Sequence, residues 1–152
     1  PFYVHDCVID VGDDNVAIHA SHVLIEDCVF GSDQFEGAVH GHGASIGSLG
    51  SGSEIRNVTV RNVRFLNTHV GPNLKVRADA VDGVVDGIVY ENLEMRELQL
   101  ENLRLAVDYT MSTTTSASSE TNPAKNAKDG APFVVRNITY RNITATETKV
   151  PG

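Results

Sequence analysis

The sequence predicts an all-β chain wound as a parallel β-solenoid. Three observations carry this. A short unit recurs along the 152 residues: apolar, polar, Asp or Asn, apolar, any, apolar. The residues around it are rich in Val and Ile, alternate in polarity and are broken by Asn, Asp and Gly, which is strand and turn chemistry. No capped helical stripe competes. The best candidate, Tyr90 to Leu105, contains a copy of the unit and fits the series better.

In chain order, the first copy is Val4-His5-Asp6-Cys7-Val8-Ile9 and the second is Ile25-Glu26-Asp27-Cys28-Val29-Phe30. Val60-Arg61-Asn62-Val63-Arg64-Phe65 and Tyr90-Glu91-Asn92-Leu93-Glu94-Met95 follow, and Tyr140-Arg141-Asn142-Ile143-Thr144-Ala145 is the last. The Asp/Asn markers are 21, 35, 30 and 50 residues apart, a spacing that indicates a solenoid. Asn or Asp at a repeated turn tolerates left-handed backbone and can stack along the axis. Asn57 and Asn137 precede two of the markers by five residues. The longest gap holds a Ser/Thr-rich polar loop at about 111–131, expected at a rim. Residues 1–152 are expected to form one β-helix domain.

Composition narrows the function. The formal net charge is -8, which argues against nucleic acid or an anionic membrane as partner. No apolar run is long enough to cross a bilayer. Two cysteines, Cys7 and Cys28, are too few for a disulfide scaffold or a structural zinc site, and their redox state is open. No metal or other cofactor is expected.

Three segments follow their markers by 7 to 15 residues and should emerge on one side of successive coils. They are Gly12-Asp13-Asp14-Asn15, the glycine-rich run Gly41-His42-Gly43-Ala44-Ser45-Ile46-Gly47-Ser48-Leu49-Gly50, and Asn73-Leu74-Lys75-Val76-Arg77. Coils stack roughly 4.8 Å apart, so two carboxylates, one imidazole and two cations would share one cleft. Hydrolysis of a glycosidic bond needs one carboxylic acid for the leaving oxygen and carboxylate help for water. Neighbouring carboxylates do not both ionise easily, and an imidazole can tune the shared proton. Lys and Arg alongside would hold an acidic sugar.

These segments resemble the polygalacturonases, glycoside hydrolase family twenty-eight. That family carries Gly-Asp-Asp, Gly-His-Gly-x-Ser-Ile-Gly-Ser and Arg-Ile-Lys segments in this order. The resemblance implies a right-handed parallel β-helix and inverting hydrolysis of α-1,4-linked galacturonan in pectin, an acidic polysaccharide met in a secreted setting. It implies Asp13 as general acid, Asp14 as the residue that helps activate water and His42 as support for the acid. Lys75 and Arg77 would bind galacturonate, and Tyr109 would match a substrate-contacting tyrosine. The cations of the third segment are interchanged: Lys75 stands where Arg is usual and Arg77 where Lys is usual. Asn15 and Ala38 stand where many fungal relatives place a bonded cysteine pair. The family's Asn-Thr-Asp segment is expected ahead of Pro1, in N-terminal coils that precede this chain or come from another one. The chain is thus expected to be the C-terminal part of a larger, here N-terminally incomplete, β-helix. Asn57, Asn137 and Asn142 each begin an Asn-x-Thr sequence that the repeat itself explains. The rival functions are a polysaccharide lyase on the same solenoid, with the acidic pair on Ca²⁺, and a non-catalytic carbohydrate-binding β-helix.

Overall fold

A computed structural model describes residues 1–34, 40–110 and 129–147. Among these, the strands are β1 (Phe2–His5), β2 (Val8–Ile9), β3 (Asp14–Ile18), β4 (Val23–Gly31) and β5 (His42–Leu49). They continue as β6 (Glu54–Leu66), β7 (Asn73–Arg77), β8 (Val84–Arg96), β9 (Arg104–Tyr109) and β10 (Val134–Thr146). The larger sheet runs β1-β4-β6-β8-β10, with β2 also on β4; the smaller runs β3-β5-β7-β9. All these pairings are parallel, so consecutive coils place one strand in each sheet. This is the expected all-β parallel helix. Residues 111–128 of the expected polar loop lie outside the described residues.

The markers form the corner of each coil. Asp6, Asp27, Asn62, Asn92 and Asn142 all have φ between 51° and 54°. For an L-residue that geometry crowds Cβ against the carbonyl, and Asn and Asp tolerate it best. Their side chains also join across coils. Asn62 Nδ2 donates to Asp27 Oδ1 at 3.1 Å, Asn92 to Asn62 Oδ1 at 2.9 Å, and Asn142 to Asn92 Oδ1 at 2.7 Å. Asn57 and Asn137, each five residues before a marker, belong to a second left-handed column with His22 and Gly87. Asn67, Glu97 and Glu147 form a third.

After each corner the chain returns inward. Register aligns Ile25, Val60, Tyr90 and Tyr140 in one column and Phe30, Phe65 and Met95 in another. Phe30 meets Phe65 edge to face at 5.6 Å, and Tyr90 stacks on Tyr140 at 5.0 Å. Ile18, Ile46 and Leu74 of the smaller sheet complete the core. Each fully buried side chain of this size contributes about 1.5–3 kcal/mol. On the outer face of the larger sheet, opposite charges alternate along the axis. Arg61 pairs with Glu26, Arg141 with Glu91, and Arg56 and Arg136 both with Asp86. Solvent screens these pairs, so they favour register more than they stabilise.

Two outcomes follow from this packing. Among the described residues, the buried Tyr90 hydroxyl has no hydrogen-bond partner. Tyr90→Phe is therefore expected to leave stability unchanged or raise it by up to about 1 kcal/mol, whereas Tyr90→Ala costs about 3–5 kcal/mol in urea unfolding. At the corner, Asn92→Gly keeps the left-handed backbone free of strain and loses the amide bonds. Asn92→Ala loses both, and should unfold at lower urea than Asn92→Gly by a difference of about 1 kcal/mol.

Candidate active site

The smaller sheet assembles the predicted residues. Asp14 opens β3, His42 opens β5, Lys75 and Arg77 lie on β7, and Tyr109 ends β9. Asp14 is the direct register partner of His42, and Arg77 that of Tyr109. On β7, Leu74 and Val76 enter the core while Lys75 and Arg77 alternate with them on the opposite side. The glycines flanking His42 have a steric cause. Gly41 has φ +65, and a Cβ there would sit 1.9 Å from the Asp13 carbonyl oxygen. A Cβ on Gly43 would sit 2.4 Å from the Phe65 ring. His42 can approach the acidic pair only because the neighbouring coils close in on bare backbone.

Asp14 is the hub. His42 Nδ1 lies 3.1 Å from its Oδ1, and the Ser45 hydroxyl donates to the same oxygen at 2.5 Å. Lys75 Nζ donates to Oδ2 at 3.3 Å. The Asp14 and Lys75 side chains are only 15% and 9% exposed, so this is a nearly buried charge pair. Burial pushes the Asp14 carboxyl up, but the hydrogen bonds from His42 and Ser45 and the Lys75 charge outweigh it and hold the group at about 2. Asp13 differs. Its side chain is 94% exposed, 3.7 Å from His42 Nδ1, and its Oδ1 accepts the Asp14 backbone N–H at 2.8 Å. Donor atoms of Asp13, Asp14 and His42 lie within 4.8 Å of one another. Lys75 and Ser45 also engage Asp14, so its two oxygens are shared among three side chains.

The second cation is directed elsewhere. Arg77 forks onto Asp79, with Nε to Oδ1 at 3.0 Å and an Nη to Oδ2 at 3.1 Å. It shares the sheet with Asp14 and stands beside Tyr109. The Tyr109 ring lies between two cations, with Lys75 Nζ at 5.7 Å and the Arg104 guanidinium carbon at 5.9 Å from its centroid. Asp14, His42 and Lys75 are thus in direct contact, Tyr109 borders them, and Arg77 is adjacent but bound to Asp79.

Several participants carry no signal of their own in the sequence. Ser45 and Asn73 stand inside the recognised segments, yet only the register reveals that Asn73 Nδ2 donates to Ser45 Oγ at 3.2 Å. His69 approaches His42 at 5.7 Å between ring centroids. Asn15 is buried and clips two coils together: Nδ2 donates to the carbonyls of His40 at 3.0 Å and His42 at 2.7 Å. At one of the two positions where relatives bond cysteines, this chain thus uses an amide bridge; Ala38 lies outside the described residues. Cys7 and Cys28 are free thiols, and each Sγ lies 3.1 Å from the carbonyl two residues before it.

Known proteins resemble this chain along nearly its whole length. A polygalacturonase of Chamaecyparis obtusa is 33% identical over 150 residues, covering 95% of this chain and 25% of the relative. A polygalacturonase of Juniperus ashei is 29% identical, with 95% and 26% covered. A probable rhamnogalacturonase E of Aspergillus flavus is 28% identical, with 92% and 29% covered. The chain therefore spans about a quarter of the length of these relatives. No solved structure was found to match. The family model "Glycosyl hydrolases family 28" matches residues 2–151, and with the Asp14–His42–Lys75 cluster on a parallel β-helix the chain belongs to that family.

Proposed function

We propose that this chain carries the catalytic face of a hydrolase that cleaves α-1,4-galacturonosidic bonds of pectin or polygalacturonate with inversion. The observation that supports it best is the unequal environment of two adjacent carboxyls. Asp14 is nearly buried and held ionised by a lysine and two further hydrogen-bonding groups. Asp13 is open to solvent beside it. In this reading Asp13 gives its proton to the departing glycosidic oxygen. Water adds to the anomeric carbon, and Asp14 takes the water's proton. His42, with Nδ1 within 3.7 Å of both carboxyls, would relay a proton back to Asp13 between turnovers.

Substrate is held by charge and by a ring. Arg77, exchanging Asp79 for a uronate carboxylate, would bind it directly, with the Lys75 charge close behind, and Tyr109 offers an apolar surface to the sugar. Inversion is carried over from the family likeness. The tight Asp13–Asp14 spacing is shorter than the roughly 6.5–9.5 Å of most inverting pairs, so the distance does not supply it. Such a polymer would be met outside the cell.

Two experiments test the assignment, each in the polypeptide that carries this chain. Incubation with oligogalacturonate should give new reducing ends that appear first as the β-anomer in proton NMR. Unsaturated, ultraviolet-absorbing ends would instead indicate a lyase, and no turnover a binding module. Asp13→Asn should lower kcat by about 10²–10⁴-fold; full retention overturns its role as acid.

The second test follows the charge on Asp14. Its carboxyl is held at about 2 against an ordinary 3.8. A depressed carboxyl stabilises the fold above its ordinary value and loses that contribution as pH falls through the depressed one. Because Asp14 must be ionised to take the water's proton, the acid limb of kcat/KM should lie near the depressed value. Lys75→Met removes the charge and should move that limb upward, towards the ordinary value; the limb's position, not its height, is the readout.

A further inference from the structure

We infer that Asn73 is a positioning residue that acts on Asp14 through Ser45, setting the direction in which the Ser45 hydroxyl donates. The inference rests on the reading of Asp14 as the proton acceptor, and on three facts of geometry. Asn73 and Ser45 are both buried, at 1% and 0% exposure. Asn73 Nδ2 donates to Ser45 Oγ at 3.2 Å, and Ser45 Oγ donates to Asp14 Oδ1 at 2.5 Å. Asn73 Oδ1 is buried and has no partner among the described residues.

The donors and acceptors leave one consistent arrangement. A hydroxyl has one hydrogen and two lone pairs, an ionised carboxylate only accepts, and an amide NH₂ only donates. The Ser45 hydrogen must then point at Asp14, and the Asn73 amide fills one of the two hydroxyl lone pairs. This also fixes which end of the amide faces Ser45, and so leaves Oδ1 turned into the packed interior. An unsatisfied buried oxygen costs stability. An apolar side chain of the same shape at position 73 would avoid that cost, yet would let the hydroxyl swing. Without the amide, Ser45 can turn its hydrogen away from Asp14. With it, the serine is locked as a donor to the charged form before substrate arrives.

Other groups face Asp14 from every side. They are Asp13 on its own coil, His42 from β5 with His69 behind it, and Lys75 from β7. Arg104 of β9 is the register partner of Asn73. A variant at position 73 leaves all of these in place, so the relay can be isolated.

The test is a carbon-13 NMR titration of the Asp14 carboxyl in the natural protein, Asn73→Leu, Ser45→Ala and the double variant. Ser45→Ala and Asn73→Leu should each move the midpoint up, by about half a pH unit. The double variant should move no further than Ser45→Ala alone. An unchanged midpoint in Asn73→Leu, or shifts that add in the double variant, overturns the relay. Where Asn73→Leu fails to fold, Asn73→Ala is titrated in its place. The acid limb of kcat/KM is measured on the same proteins. A limb that follows the NMR midpoint supports both readings. A midpoint that moves while the limb stays fixed keeps the relay and removes Asp14 as the base.

Discussion

The whole molecule depends on parallel strands of successive coils pairing in unbroken register. Each long strand hands its backbone hydrogen bonds to the next coil, so a residue's neighbours are set by position within the coil. Each coil must also turn a sharp corner at the same point. The left-handed residue does this, because it reverses the local bend without consuming an extra residue. Asn adds something Gly cannot: an amide with a donor on one side and an acceptor on the other, matched to a partner one coil away. The run from Asp27 to Asn142 therefore performs two tasks with the same short polar side chains. It relieves corner strain, and it penalises any slip between coils, since a shifted coil would break its side-chain bonds to the coils on either side.

The candidate site is a consequence of that register. Asp14, the His42–Ser45 stretch and Lys75 are far apart in sequence, and local folding alone could not bring the three together. They meet because β3, β5 and β7 lie side by side. Placing a carboxylate and an ammonium where little water reaches them is costly unless each is paired and hydrogen-bonded. Asp14 satisfies that condition on both oxygens. The same pairing that makes the charge tolerable also pins its ionisation state. Structural necessity thus fixes the charge at Asp14, while Asp13, one residue earlier, stands open to solvent.

Much of this was legible in the residues. The markers were visible because the corner strongly prefers Asn or Asp, and the spacing of the three segments correctly brought Asp14, His42 and Lys75 together. The second corner column was only half visible. Asn57 and Asn137 stand out, but His22 fills the same geometry and carries no such preference. The third column uses glutamate at two positions, where neighbouring coils impose the backbone rather than the residue choosing it. Ser45 and Asn73 were hidden for a different reason. A serine in a glycine-rich run and an asparagine at a strand start both read as turn residues. Only the Ser45–Asn73 register pair converts them into a hydrogen-bonded chain. Arg77 was legible as a groove residue but not as the partner of Asp79, because a contact two residues away along a strand end depends on where the strand stops.

The interchange of lysine and arginine on β7 has a physical logic in this setting. Lysine concentrates its charge on one small ammonium at the end of a thin stem, and its side chain here threads to 9% exposure to touch a single carboxylate oxygen. A guanidinium in that place would bring five donors into a space where Ser45 and His42 already serve the other oxygen, and several would be left unpaired. Two residues on, the side chain is 45% exposed and the partner is a whole carboxylate presented edge-on by Asp79. There the planar fork is the better shape, since it makes two parallel bonds and keeps its remaining donors towards solvent. Each cation thus sits where its geometry can be satisfied. The deep one holds the Asp14 carboxyl in its charged form, and the shallow one forks onto Asp79 at the edge of the same sheet.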